Sequence, residues 1–474
     1  MEDTPFIKLF SSPWNKYFYD VGRNEIVLVS DQLFNNLHLV ETGDLSWREL
    51  LEEPDEELRL LLDDGYLSSK RPSIIRHPLS DLAPYYLERK IDMITLQLTQ
   101  ECNFRCRYCV YSEKINRRQR SHSSRIMTWE TAKNAIDFYI KHSVDSECRF
   151  IGFYGGEPLL QFELIRNIVE YAEQHAQGKA LDFHMTTNGS LLTEKVVPFL
   201  VEHNFHLLIS IDGQKESHDK NRVFKNGMGT YDTIIENITH IKDTYPDYYS
   251  HIHINTVLDP QNGFDSMIEI DKDLMKLRNS VRYNFVESDD ESDIPTAEFI
   301  AKNEYQSFLA LLSLCGKYPE AKLSALGLQR RVSAKDEYDK FRSTSGMSDL
   351  YSHGGPCIAG KTRLLVTVDG KLYPCERVNE NAHMCIGSLN TGFDYKTIRE
   401  LMNIGELTAE KCKDCWAIRH CSICARLCDD GEMLSAQIKL QHCTSNIRST
   451  ENKIRSIILQ NEMEYGSYGG YYDD

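Results

Sequence analysis

Cys102-Asn103-Phe104-Arg105-Cys106-Arg107-Tyr108-Cys109 sets three thiols in C-x3-C-x2-C spacing, directly behind the run Ile91-Asp92-Met93-Ile94-Thr95-Leu96-Gln97-Leu98-Thr99. The aliphatic and β-branched residues of that run favour a strand, and a loop this short turns its cysteines toward one point. Three thiolates are one fewer than the four that hold a cubane iron–sulfur cluster. One iron is then left for another ligand. The residues alone also admit a zinc site or three unrelated core cysteines. Structural zinc sites take four ligands, commonly in paired C-x2-C knuckles, and this stretch supplies one such pair.

In this spacing, behind a strand, the motif resembles that of the radical S-adenosylmethionine (SAM) enzymes. The resemblance implies a 4Fe-4S cluster on Cys102, Cys106 and Cys109 whose open iron takes the amino and carboxylate groups of SAM. It also implies a reductant such as flavodoxin or ferredoxin. Reductive cleavage of SAM then yields methionine and a 5′-deoxyadenosyl radical.

A chain of 474 residues should hold two or three domains, and its apolar fraction of 41% is ample for their cores. No apolar run is long enough to span a membrane, and Met1-Glu2-Asp3-Thr4-Pro5 lacks a signal-peptide core. The expected location is the cytoplasm. Fourteen cysteines there point to metal or redox chemistry rather than disulfides. Cys148, Cys315 and Cys385 stand alone and read as small buried apolar side chains. The formal charge of −17 argues against nucleic acid or an anionic membrane as the main partner.

Residues 1–77 read as a small module. Tyr17–Val29 has β-rich flanks around Gly22 and Asn24, a hairpin pattern. Helices are expected from Asp31, from about Ser46 to Leu51, and from Asp55 to Leu62. Hairpin plus three helices suggests a winged helix-turn-helix. Residues 1–80 carry eight Lys/Arg against fifteen Asp/Glu, whereas a DNA reader needs a basic face. The arrangement instead resembles the peptide-recognition elements fused to enzymes that modify ribosomally made peptides, in which a leader segment adds as a strand to the hairpin edge. Pro72, Pro78 and Pro84 mark a linker, residues 78–90.

From residue 91 to 316 strand-like and helical runs alternate. The strands are Ile91–Thr99, Arg149–Tyr154, Leu181–Thr187, His206–Ile211, His251–Leu258 and Val281–Val286. The helices are Trp129–Lys141, Phe162–Gln174, Glu194–Glu202, Tyr231–Lys242, Phe264–Leu277 and Ala297–Leu314. Such alternation gives parallel strands with helices outside, here a partial (β/α)6 barrel of the TIM type. Its site is expected at the C-terminal strand ends.

The loops at those ends carry further signals. Tyr154-Gly155-Gly156-Glu157-Pro158 pairs glycines, which admit close approach, with a carboxylate that accepts from an ammonium group. It resembles the segment that holds the methionine amine of SAM. Asn188, Ser210 and Asp212 are short polar side chains suited to a ribose or carboxylate, and equally to turns and caps. Arg222 stands where the family places an arginine on the SAM carboxylate, with a surface ion pair as the plain alternative. Tyr108 is expected beside the adenine. The acidic run Glu287–Asp293 reads as a solvated loop.

After a connecting segment, residues 317–356, eight cysteines fall in tight spacings. Cys357 and the stretch Gly370-Lys371-Leu372-Tyr373-Pro374-Cys375 precede Cys412-x2-Cys415-x5-Cys421-x2-Cys424-x3-Cys428 and then Cys443. The pattern resembles the SPASM extension with its two auxiliary 4Fe-4S clusters. By that analogy Cys412, Cys415, Cys421 and Cys443 hold one cluster, and Cys357 and Cys375 begin the other. The family commonly shows C-x2-C-x5-C-x3-C. Here Cys424 falls one position early and Cys428 is extra, so either or both complete the second set. With one, an iron stays open to a substrate thiol. With both, the cluster is closed. A zinc knuckle on Cys412, Cys415, Cys421 and Cys424 is the alternative. Residues 357–447 would form this domain and residues 448–474 a helix and a disordered Gly/Tyr-rich tail.

The whole reads as an α/β enzyme with three 4Fe-4S clusters, SAM as cosubstrate and a Cys-containing precursor peptide as partner. The reaction expected is a thioether cross-link of the sactipeptide or ranthipeptide kind. Carbon–carbon cross-linking, formylglycine formation as in sulfatase maturation, and a non-catalytic iron–sulfur scaffold that binds peptide are the alternatives.

Overall fold

The computed structural model describes residues 4–109, 111, 122–269, 274, 277–278, 280–286, 294–353 and 357–465. The acidic run Glu287–Asp293 and the tail from residue 466 lie outside them.

The N-terminal sheet has three antiparallel strands in the order β1 (Ile7–Ser11), β2 (Lys16–Asp20) and β3 (Glu25–Val29). The hairpin expected from Tyr17 is β2–β3, turning through Asn24 at φ 56°. β1 is an addition to it. Helices Asp31–Thr42, Trp47–Glu52 and Glu56–Asp63 follow, capped by Ser30, Ser46 and Asp55. Ser46 and Glu49 form a reciprocal capping box.

One face of this sheet packs Phe18 and Val29 against Leu33, Leu37, Trp47 and Leu58. The other face is also buried. Phe6, Phe10, Tyr19 and Val21 share a core with Ile418, Ile454 and Ile458 near the C-terminus, and Phe10 meets Trp416 edge-on at 5.9 Å. The stretch 78–90 is more than a tether. Pro84 sits in the first turn of helix Ala83–Arg89, which buries Ala83 and Leu87 in the main core.

Ile74–Ile75 (β4) is a two-residue strand. The main sheet then sets six parallel strands side by side in chain order: β5 (Met93–Thr99), β6 (Cys148–Gly155), β7 (Ala180–Thr187), β8 (His206–Ser210), β9 (Ile252–Leu258) and β10 (Val281–Phe285). Alternate residues (Ile94, Leu96, Ile151, Phe153, Phe183, Met185, Leu207, Ile209) form a buried layer with Ile136, Ile165, Ile168 and Ile234 of the intervening helices. The helix expected from Glu194 begins at Val197, because Pro198 is tolerated only in a first turn. The one expected over Phe264–Leu277 is helical at Phe264–Ile268, and part of the remainder is outside the described residues.

β11 (Leu350–Tyr351) pairs with β4. β12 (Leu364–Val366) adds to the β5 edge in parallel, and β13 (Lys371–Tyr373), β14 (Gly387–Ser388) and β15 (Gly392–Phe393) continue antiparallel. The sheet is therefore mixed, and the cysteine-rich third is built onto the strand that leads into Cys102. The segment 317–356 holds the helix Ala325–Lys340. The last helix, Cys443–Tyr465, starts on a cysteine. Among the described residues no helix is long and apolar enough to cross a membrane.

Candidate active site

β5 ends at Thr99, and the loop that follows carries the three thiols. The close approach that requires glycine at 155 and 156 is to the chain's own backbone. A Cβ on Gly155, at φ +132°, would lie 2.2 Å from Thr99 O, and one on Gly156 2.1 Å from Glu101 O. Gly156 N donates to Thr99 O at 2.8 Å and Glu157 N to Glu101 O at 2.9 Å. These bonds clamp the end of β6 to the segment entering Cys102.

Glu157 is fully buried. Its carboxylate accepts from Thr187 Oγ1 at 2.8 Å, Leu159 N at 3.1 Å and Asn188 N at 2.8 Å, tying β6 to β7. Asn188 Nδ2 in turn donates to Asn103 Oδ1 at 2.8 Å and lies 3.8 Å from Cys102 Sγ. Ser190 completes this set, with Asn103 Nδ2 donating to its Oγ at 2.9 Å.

Burial raises the Glu157 carboxyl from its ordinary 4.5 to about 7, against the lowering effect of its three donors. Between those pH values the folded chain holds a proton that the unfolded chain releases. Stability from this group therefore falls as pH rises through that window. Glu157→Gln should flatten that part of the profile of unfolding free energy against pH. A slope unchanged by the substitution would contradict the assignment.

On the other side of the loop, residues 221–225 run antiparallel to it. Arg105 N donates to Val223 O at 2.8 Å, Arg107 N to Asn221 O at 2.9 Å and Lys225 N to Asn103 O at 3.1 Å. Phe104 and Phe224 close edge-on at 5.1 Å. This placement turns Arg222 inward. Its Nε donates to Asp212 Oδ2 at 3.0 Å, its guanidinium lies 5.3 Å from the Tyr108 ring centre, and Nη1 lies 4.0 Å from Cys106 Sγ. The Tyr108 hydroxyl also donates to Asp212, whose other oxygen accepts from Val257 N at 3.0 Å.

His218 backs this triad. Burial holds its imidazole down, at about 4, so it is neutral. Nδ1 accepts from Asp212 N at 3.2 Å, Nε2 donates to Thr230 Oγ1 at 2.9 Å, and Thr230 donates to Arg222 O at 2.9 Å. The sequence had marked Tyr108, Asp212 and Arg222 separately. Asn103, Ser190, His218 and Thr230 lie in or beside the same stretches and carry no separate role in the sequence pattern. Ser210 ends β8, largely buried.

Burial pushes the Cys102 and Cys106 thiols up to about 12. They would become thiolates only against a bound cation. Backbone donors already face the sulfurs: Phe104 N lies 3.4 Å from Cys102 Sγ, and Tyr111 N 3.4 Å from Cys109 Sγ. Three thiols on one loop, Cys102 buried and Cys106 and Cys109 partly so, two of them with N–H···S donors, fit a cluster that keeps one iron for another ligand.

Residues 96–274 match the radical SAM superfamily. The chain carries a radical SAM enzyme domain. Beyond it, the serine-type anaerobic sulfatase-maturating enzyme of Bacteroides thetaiotaomicron is 32% identical over 142 residues, 30% of this chain and 34% of that protein. The radical SAM cyclopropyl synthase TigE of Paramaledivibacter caminithermalis is 29% identical over 179 residues, 34% of this chain and 38% of that protein. The chain thus spans little more than a third of the length of these relatives. A solved structure described as native anSMEcpe with bound AdoMet superposes at TM-score 0.56 and 20% identity. It covers 78% of this chain and 99% of its own, a likeness of fold.

Outside residues 96–274, the eight cysteines Cys357, Cys375, Cys412, Cys415, Cys421, Cys424, Cys428 and Cys443 lie in neighbouring groups, apart from Cys315 and Cys385. Burial first, and then Cys412, Cys421 and Cys443, push the Cys415 thiol up to about 11. Cys421 and Cys443 are each raised by burial and then by Cys412. The residue Cys357 is exposed but its thiol is enclosed, and it is raised by that enclosure and then by Cys375 and Cys424; half-buried Cys375 is raised by burial, then Glu376, then Cys424. Cys428 is fully buried. Its thiol is pushed up to about 12 by burial, and its cysteine neighbours are Cys424, Cys421 and Cys443.

Strand register places the two ends of the system. β12 begins opposite Ile94, and Tyr373 pairs with Leu365. Cys357 and Cys375 therefore lie toward the start of β5, and Cys102 beyond its end, roughly 20 Å apart at the rise of an extended strand.

Proposed function

We propose that the chain is a radical SAM peptide maturase that joins a cysteine sulfur to a carbon of another residue in a ribosomally made precursor, forming a thioether. On this reading β5–β10 form a partial barrel over residues 91–316, and residues 357–447 form a SPASM-type domain. That domain holds one cluster on Cys412, Cys415, Cys421 and Cys443 and another begun by Cys357 and Cys375. With the cluster on Cys102, Cys106 and Cys109 that makes three, reduced by a partner such as a flavodoxin or ferredoxin.

The observation that supports the reading is the neighbourhood of Cys357, Cys375 and Cys424, with Cys428 next to Cys424 and also near Cys421 and Cys443; we take Cys424 as the third ligand and Cys428 as dispensable. A three-thiolate set leaves an iron open to the substrate's own sulfur. Once bound, SAM and the cluster at Cys102 would supply a 5′-deoxyadenosyl radical to take one hydrogen atom from the acceptor carbon; the substrate thiol would give up its proton, and the remaining electron would pass to the auxiliary cluster as the carbon–sulfur bond forms. The chain's residues do the positioning. Arg222, fixed by Asp212, offers its remaining N–H groups to a carboxylate, the Tyr108 ring offers an apolar face, and the Glu157 hydrogen bonds hold the neighbouring loops in place.

Cys424→Ala should abolish cross-linking in cells that co-express a Cys-containing peptide encoded beside the chain, and Cys428→Ala should retain it. Equal loss in both variants would reject a three-thiol site. A second reading, oxidation of a Cys or Ser side chain to formylglycine, is favoured by the sulfatase-maturating relatives. Residues 1–77 weigh against it, because sulfatase maturases generally lack such a module.

Those residues present the surface for the precursor's leader. Among the described residues the outer edge of β3 bonds to no other strand. It opens on a groove of about 540 Å³ whose far wall is Tyr338, Phe341 and Ile457, with Ile26, Leu28 and Tyr66 on the near side. An extended leader adding to β3 would place alternate side chains against those rings. Leu28 is half exposed there. Leu28→Asp should weaken leader binding about tenfold or more, the worth of one buried aliphatic side chain. Fluorescence anisotropy of a labelled leader checks it, and unchanged affinity would move the leader elsewhere.

A further inference from the structure

Lys439 lies on the short helix Ala436–Gln441, one turn before Cys443, and is buried at 1% exposure. Its ammonium donates to Ile404 O at 2.9 Å and to Thr408 Oγ1 at 2.7 Å, and lies 3.6 Å from Cys412 Sγ. Its positive charge acts as well on the thiols of Cys421, Cys428 and Cys443. Among the described residues no carboxylate pairs with it. An ammonium taken out of water without a counter-charge is strongly unfavourable. The groups around it that can carry negative charge are sulfurs.

We propose that Lys439 is the positioning cation of the Cys412, Cys415, Cys421 and Cys443 group, the counter-charge that favours the reduced state of the cluster bound there. The proposal rests on the reading that these four thiolates hold an iron–sulfur cluster. Reduction of such a cluster by a low-potential one-electron donor adds one negative charge, breaks no bond and takes up no proton. A fixed cation within hydrogen-bonding reach of a ligand sulfur favours the more negative state and raises the reduction potential. Helical spacing explains why one residue meets the whole group. Lys439 precedes Cys443 by a turn, and Cys443 Sγ lies 3.7 Å from Lys439 O.

The test is an anaerobic potentiometric titration followed by EPR, on the full-length chain with Cys102, Cys106 and Cys109 replaced by alanine. The signals then come from the C-terminal groups. Lys439→Gln keeps a hydrogen-bond donor and drops the charge. It should retain the iron and shift one midpoint downward, and Lys439→Arg should restore it. Full iron with the parent midpoint in Lys439→Gln overturns the proposal and leaves the cluster standing. Loss of iron in Lys439→Gln with retention in Lys439→Arg also supports a counter-charge. Equal loss in both overturns it, since shape and not charge is then at work. If Cys412→Ala with Cys415→Ala removes no iron in the same background, the cluster reading falls, and the proposal with it.

Discussion

Alanine at Cys102, Cys106 and Cys109 should reduce 5′-deoxyadenosine formation below detection when the anaerobically reconstituted chain is given SAM and dithionite. The three thiols sit at the end of β5 with backbone donors on two of the sulfurs, and Asn103, Asn188 and Ser190 fix their loop. Removing them removes the site and leaves the C-terminal groups intact. Iron should therefore drop by about four from about twelve per chain, each cubane holding four. Full loss of iron would show that the groups assemble interdependently. Retained SAM cleavage would place the radical chemistry elsewhere.

The second large effect is on stability. Asp212 is fully buried and answers Arg222, Tyr108 and Val257 N together. Asp212→Ala leaves the Arg222 guanidinium buried without its partner, and breaking a buried pair in this way costs about 3–5 kcal/mol. Urea unfolding of the chain reads this directly. Replacing Arg222 by methionine in the same chain should recover much of the loss, because the uncompensated charge is gone. An effect below about 1 kcal/mol, or a double variant as weak as Asp212→Ala, would mean that water reaches this pair.

The same triad shows what could be read in advance. Tyr108, Asp212 and Arg222 stand out singly because they follow strands that are themselves legible, runs of Ile, Leu, Phe and Val long enough to show their period. What joins them is invisible to local pattern. Asp212 and Arg222 are brought together by residues 221–225 running beside the cysteine loop, a contact between segments about a hundred residues apart. Gly155 and Gly156 were legible as a place of close approach. Their partner, the backbone of Thr99 and Glu101, follows only from the β5–β6 register.

Short elements fared worst. β12 is three residues long and finds its place by pairing with β5, so no periodicity announces it. β1 is five residues beside Pro13 and Trp14, and its burial depends on Phe10 meeting Trp416. Helix Lys215–Asn221 is polar throughout and buries Ser217, His218 and Asn221 through hydrogen bonds, a pattern that reads as loop. Lys439 is the sharpest case. A lone lysine near a chain's end reads as solvated, and only the fold encloses it among thiols. The spacing from Cys412 to Cys428 could be read but not divided. In the fold Cys424 neighbours Cys357 and Cys375 and also Cys428, and the division between the two sets is part of the proposal.

Mass spectrometry of a Cys-containing precursor peptide co-expressed with the chain, before and after thiol alkylation, bears most directly on thioether formation. The account predicts a product two hydrogens lighter for each cross-link, with the bridged cysteine refusing the alkylating reagent and the mass defect confined to one fragment ion pair. A peptide whose cysteines all remain alkylatable, or one carrying an aldehyde that reacts with hydrazide, would contradict it.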